Sequence, residues 1–434
     1  MDPLLFGFLA IAAMLALTIL SVPVAASLGL VGIGGMFLYG GWPLVDSSIR
    51  TLPYQIVSEY AFVVIPMFIL MGTLASNSGI TGKLYQAAYA WFSSVRGSLY
   101  MATIAGSAGF AAISGSTMVN AAVFTRIALP EMIRFGYDRA IGAGCIAAAG
   151  TFAALIPPSI AIVLVAILAD VSIGALLMAG VIPGLLTAGI YLIGVAVMMR
   201  LRPDWAPQKT KPLPFRERME SLKGVWGTLV LAAIIIGGIY SGTMFPSSAG
   251  AIGAIGALLI ALVARSISRD GFRDAIAQTA ASATILFVVI IGGMLFSRML
   301  VFSGFIHQAI DMFSGIGLTP ITFMAGIIVM YLILGMFVDT VSMLVITVPF
   351  ITPIAKALGI DLIWMSIIIV KLVEIATISP PVGLNLYAVL SAAEGKIKAE
   401  ELFRGVMPFL LLEGIILVLL WVFPEICTWL PSQM

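Results

Sequence analysis

The stretch "ATISPPVGLNLY", residues 376–387, decides how this chain is read. It lies inside a run apolar enough to cross a bilayer, yet carries adjacent prolines, Pro380 and Pro381. Each proline removes a backbone N–H and blocks the carbonyl one turn earlier, leaving oxygens without partners. In hydrocarbon such a break survives only inside protein, or where something else binds the freed oxygens.

The surroundings make this a membrane chain. Hydrophobic residues are 61% and charged residues 10% of the 434, against roughly 45–50% and about 25% in an ordinary soluble domain. Apolar runs of spanning length recur from residue 4 to residue 423, which predicts a multi-pass all-α integral membrane protein rather than an outer-membrane barrel. The first run, "LLFGFLAIAAMLALTIL", has no preceding basic residue and no A-x-A pattern, so it is expected to remain as a helix. Cys145 and Cys427 show no metal-like spacing and read as packing residues, and His307 is the sole histidine.

The break has a twin. Shifting the chain by 223 residues overlays Pro130 on Pro353, Gly136 on Gly359, Asp138 on Asp361, and Pro157-Pro158 on Pro380-Pro381. Such a fixed offset predicts duplication. Arg126, Arg134 and Arg139 surround the first Gly-x-Asp loop while its twin offers only Lys356, and conversely Lys396, Lys398 and Arg404 follow the second Pro-Pro helix while the matching first-half loop has no basic residue. By the positive-inside rule the copies cross in opposite senses, an inverted repeat. Residues 1–199 form the first repeat, 200–223 a cytoplasmic linker with seven Lys or Arg and four prolines, and 224–434 the second. The linker reads equally well as a solvated loop or as a helix lying on the membrane surface.

Walking outward from the linker gives ten expected spans: 4–20, 22–41, 56–76, 140–168, 173–199, 225–240, 247–264, 279–300, 361–390 and 405–423. Both termini fall outside. Between basic residues, about 100–129 is too short to cross twice and is expected to enter, turn at Ser114-Gly115-Ser116 and leave; about 318–353 repeats this, turning near Val338-Asp339-Thr340. Interrupted helices aim carbonyls and half-helix ends at one point, and neutral oxygens suit hard alkali cations. The first candidate site joins Ser114, Ser116, Thr117 and Asn120 to the break at Pro157-Pro158-Ser159. The second joins Asp339, Thr340 and Ser342 to Thr377, Ser379 and Asn385. The competing reading is that these hydroxyls bond back to their own helices. Lys371 and Glu374, three apart, are expected to neutralise each other, while Arg298 and Glu413 are placed near span ends in structural roles.

The strings "GFAAISGSTMVNAAV", "LPEMIRFGYDRAIGAGCIAAAGTFAALIPPS", "GMFVDT" and "ISPPVGLNLY" resemble the large membrane subunit of TRAP transporters, the tripartite ATP-independent periplasmic family, over nearly the whole chain. The resemblance implies an elevator-type secondary transporter of the bacterial or archaeal inner membrane, driven by sodium and taking up an organic anion. It also implies a periplasmic binding protein that delivers the carboxylate substrate, a separate small membrane subunit, and no cofactor beyond the coupling sodium. Carried over, the sodium sites fall at Ser114, Gly115 and Ser116 with Pro157-Pro158, and at Asp339 with the break from Ser379 through Pro380 to Gly383. Ser116, Asn120, Ser159 and Asn385 are the expected substrate contacts. A free-standing sodium and dicarboxylate symporter is the alternative within transport. An enzyme would want a nucleophile, base or metal cluster at mid-membrane, and a channel would want rings of residues about a pore axis.

Overall fold

The computed structural model describes residues 2–207, 213–315, 319–335 and 338–434. The first half builds α1 (Pro3–Ile19), α2 (Val24–Ser58), α3 (Val64–Asn77), α4 (Ile80–Phe92), α5 (Ser98–Ser114), α6 (Thr117–Arg134), α7 (Arg139–Gly150), α8 (Phe152–Leu155), α9 (Ile160–Leu168) and α10 (Ile173–Leu201). The join contributes α11 (Phe215–Leu222), so the part of the linker following 208–212, which lies outside the described residues, is a short helix rather than a loop. It packs on α4 and bends 56° into the next helix. The second half builds α12 (Trp226–Tyr240), α13 (Pro246–Val263), α14 (Arg269–Phe302), α15 (Phe305–Gly315), α16 (Pro320–Leu334), α17 (Thr340–Ala357), α18 (Leu362–Ile378), α19 (Leu384–Ala392), α20 (Ala399–Val422) and α21 (Glu425–Thr428).

A shift of 223 residues carries α6 onto α17 at both ends, and the starts of α1 and α7 onto those of α12 and α18. The recurring Gly-x-Asp string has a local cause. Gly136 and Gly359 take φ of 75° and 69°, which ends the preceding helix. Asp138 and Asp361 then cap α7 and α18, accepting from the Ile141 and Trp364 N–H groups. The halves differ in where one helix is cut. In α2 the break is at Gly41 (φ 68°), so a segment after it runs on to Ser58; in the second half the positive φ falls at Arg265 (49°) and the matching segment is continuous with α14.

Among the described residues seven helices are long and apolar enough to cross a membrane, or nine if each bent pair is one span. The expected spans 22–41, 56–76, 173–199, 247–264, 279–300 and 405–423 fall in such helices. The span at 140–168 is the pair bent by 44° between α8 and α9, and that at 225–240 is the bent α11–α12 pair. Length and composition stop short of ten because α1 has 17 residues and the 361–390 span is cut into pieces of 17 and 9. The seventh long helix, α17, is an arm of the second hairpin; that hairpin's residues 318 and 336–337 lie outside the described residues.

Two apolar clusters organise the packing. The smaller joins α1, α2, the end of α14 and α15 through Phe6, Met14, Met36, Phe296 and Phe305. The larger contains both hairpins and both interrupted helices. Within it α7 and α20 meet backbone to backbone: a Cβ on Gly405 would stand 1.8 Å from the Ala140 carbonyl oxygen, and one on Gly144 2.1 Å from that of Gly405. Small residues allow this approach, which substitutes for the missing hydrophobic drive between helices in lipid. The linker's Trp205 carbonyl accepts from the Asp138 N–H and the Tyr100 hydroxyl. Arg134, Arg139 and Lys396 border one hollow. The basic linker, the first Gly-x-Asp loop and the loop before α20 therefore share one face, as oppositely directed halves require.

Candidate functional site

The first hairpin turns where small polar residues allow it. Gly115, with φ 61°, closes α5, and Ser116 caps α6 by accepting from the Val119 N–H at 3.5 Å. This tip meets the first break directly. The Ile160 N–H, at the start of α9, donates to the Gly115 carbonyl at 3.4 Å, and a Cβ on Gly115 would lie 2.8 Å from the Pro158 oxygen. On the other side α3 presses Gly72 against the tip, where a Cβ would come within 2.5 Å of the Ser114 oxygen. Ser159 caps α9 through the Ile162 N–H (3.2 Å) and donates to the Ala154 carbonyl at 2.5 Å. The Pro157–Pro158 and Pro380–Pro381 peptide bonds are both cis.

Ser114 is buried and its Oγ has no hydrogen-bond partner, which is costly for a hydroxyl unless something else fills its valence. Thr117 is half-buried at the first position of α6. Asn120 serves the hairpin itself: its Oδ1 accepts from the Ser107 hydroxyl at 2.7 Å and its amide donates to the Ser107 carbonyl at 3.2 Å. It thereby ties α5 to α6, and the Ser107 hydroxyl also reaches the Ala149 carbonyl of α7.

The second tip is built differently. Asp339 caps α17, its carboxylate accepting from Val341 and Ser342 N–H groups at 3.1 Å each. Thr340 follows half-buried, and Ser342 is buried with an unpartnered Oγ. Across from it α16 approaches the end of α18 closely: a Cβ on Gly335 would collide with Ala376 at 2.1 Å. At the break, Thr377 and Ser379 donate back to the carbonyls of Glu374 and Ile375, both at 2.7 Å. Bonding back uses each hydroxyl's proton but leaves its lone pairs for a cation. Pro380 is half-buried, and Gly383 turns the chain into α19 with φ 51°. Among the described residues no hydrogen bond links this tip to its break, unlike the first.

Asn385 leaves the second cluster for the first half. It is fully buried on α19, which packs against α6 and α7, and its amide donates to the Ala147 carbonyl at 3.3 Å while Oδ1 has no partner. It joins the second half to α7, on which Ser107 of the first hairpin also rests through the Ala149 carbonyl.

Glu413 is not at a span end. It sits well inside α20, fully buried, with Oε2 2.5 Å from Lys371 Nζ and Oε1 accepting from the Tyr191 hydroxyl at 2.5 Å. Lys371 also pairs with Glu374 at 2.8 Å, so the expected couple is a charged triad across α18 and α20, with Tyr191 of α10 bonded to it. A lone carboxylate in "LLLEGII" was the available signal, since a charge amid lipid-length apolar sequence needs a partner. Arg298 is half-buried over the Phe302 ring.

Comparison with known proteins agrees with this architecture. The family model for the DctM component of the tripartite ATP-independent periplasmic transporter matches residues 11–426. The chain is 33% identical over 411 residues to the C4-dicarboxylate TRAP transporter large permease protein DctM of Pseudomonas aeruginosa, covering 94% of each. It is 29% identical over 377 residues to the sialic acid TRAP transporter large permease protein SiaM of Vibrio cholerae, covering 87% of each. The crystal structure of the YdaH transporter of Alcanivorax borkumensis superposes with a TM-score of 0.65 at 15% identity, covering 98% of both chains, a likeness of fold.

Proposed function

This chain belongs to the DctM family, the large permeases of tripartite ATP-independent periplasmic transporters, and on that premise we propose that it couples sodium entry to uptake of a carboxylate anion. The observation that carries the reading is the closure of the first hairpin tip on its helix break, around the buried, unpartnered Ser114 hydroxyl. Unwound carbonyls and spare hydroxyl lone pairs attract a hard cation. The same breaks and turns start α6, α9, α17 and α19, and helix N-termini favour negative charge. An anion bound at those N-termini is offset by sodium held at the oxygens beside them. Sodium binding therefore raises anion affinity, and the anion raises sodium affinity equally.

The carboxylate class is supported by relatives named for a C4-dicarboxylate and a sialic acid, while others are named for isethionate and for ectoine. Delivery by a periplasmic binding protein, and a separate small membrane subunit at the inner membrane, complete the proposed assembly. In the proposed elevator cycle the body holding both hairpins and both broken helices moves against the smaller cluster of α1, α2, α14 and α15. The test is uptake into vesicles holding this chain, its small subunit and its binding protein. A labelled dicarboxylate or sialic acid accumulates when sodium is imposed outside; equal accumulation with potassium in its place refutes the coupling.

A further inference from the structure

The Lys371, Glu374 and Glu413 cluster takes no part in the sodium sites proposed above, and its charges do not balance. Two carboxylates and one ammonium, all with no exposed side-chain surface, would leave one uncompensated negative charge in the protein interior. Such a charge is neutralised rather than tolerated. From α10, Tyr191 donates to Glu413 and the Thr187 hydroxyl accepts from Lys371 Nζ at 3.3 Å. Phe152 and Phe409 close around the Tyr191 ring, and on α7 the buried Cys145 thiol is turned to the Tyr100 carbonyl at 3.7 Å. Among the described residues Lys371 and Glu374 make no ion pair outside this cluster.

We propose that Glu374 is a proton-binding site, carrying one exchangeable proton on Oε1 that makes the cluster neutral. The geometry distinguishes the two acids. Glu413 has its Oε1 on a short tyrosine bond and its Oε2 2.5 Å from the ammonium, an ion-pair contact outside hydrogen-bond alignment, so each of its oxygens faces a proton donor or a cation. Glu374 has one oxygen on Lys371 at 2.8 Å, while Oε1 is buried with no partner. The site lies between the two helix breaks. On α10, Gly180 and Gly184 press against Leu155 and Ile156, while Thr377, one turn beyond Glu374 on α18, bonds back to the Glu374 carbonyl. Loss of the proton puts a bare charge at that junction.

Infrared spectroscopy of the purified full chain tests this, read as the protonated-carboxyl stretch and its shift in deuterated water. The wild-type chain shows the band at neutral pH with or without sodium. Glu374→Gln, which mimics the protonated acid and keeps the cluster neutral, loses it yet stays folded with heat stability that no longer falls at alkaline pH. Absence of the band in wild type, its survival in Glu374→Gln, or its appearance only when sodium is withdrawn would each overturn the assignment; the last would mean that sodium itself occupies the cluster. None of these readouts depends on uptake, so the proton site and the transport reading fail separately.

Discussion

Replacing Gly115 by alanine probes the contact on which the first site depends. The residue sits at φ 61°, where an L side chain costs about 1–2 kcal/mol. Its new methyl would also lie 2.8 Å from the Pro158 carbonyl oxygen, closer than real Cβ atoms come. That oxygen is backbone in a buried break, so the tip must withdraw, stretching the 3.4 Å bond between Ile160 and Gly115. Overpacking of this kind costs about 1–3 kcal/mol. Because the collision is at the tip-to-break closure, this second cost weighs on the sodium-bound state, and with tenfold per about 1.4 kcal/mol the sodium requirement rises roughly 5- to 140-fold. Gly136→Ala is the control: its φ is 75°, but a Cβ there meets nothing within 4 Å. It carries the conformational cost without the collision. The assay is the sodium concentration giving half-maximal uptake in reconstituted vesicles. Equal values for Gly115→Ala and Gly136→Ala would refute the claim that closure of the tip on the break shapes a cation site.

Other substitutions separate packing from binding. Gly405→Ala drives a methyl to 1.8 Å from the Ala140 oxygen, so it should cost about 3 kcal/mol or more as α7 and α20 separate; Gly414→Ala, with nothing within 4 Å, should not. Thermal unfolding of the two purified variants checks this, and matching midpoints would contradict it. Asp339→Asn keeps an oxygen able to accept from Val341 and Ser342 but removes the charge. It should weaken the sodium response as much as Asp339→Ala, which also loses about 1 kcal/mol of capping. A wild-type sodium dependence in Asp339→Asn would reduce that carboxylate to a helix cap.

Much of the fold was legible because breaks in a membrane are costly and therefore leave marks. Paired prolines at one offset marked the broken helices, and a glycine and an aspartate at the same offset marked the junctions before them, since each residue type has a local reason to stand there. The helix running from Gly41 to Ser58 was missed, because Trp42, Asp46, Arg50 and Tyr54 are not a spanning pattern and the segment lies outside the hydropathy signal. The site was legible as residue types and less so as partners. Asn120 and Asn385 read from the sequence as substrate contacts, whereas their hydrogen bonds to Ser107 and Ala147 depend on how distant helices cross. Glu413 shows the same gap: the sequence marks a buried charge but not the 42 positions separating it from Lys371. Glycines such as Gly72 and Gly335 fix the close approaches around both tips, and their importance appears only once a Cβ is set against the facing backbone.

Equilibrium binding of radioactive sodium to the purified chain tests the central claim without any transport step. Saturable binding that weakens in Ser114→Ala and in Ser342→Ala, the two buried unpartnered hydroxyls at the hairpin tips, is the predicted result. A chain that binds no sodium, or binds it equally well without both hydroxyls, would contradict the account.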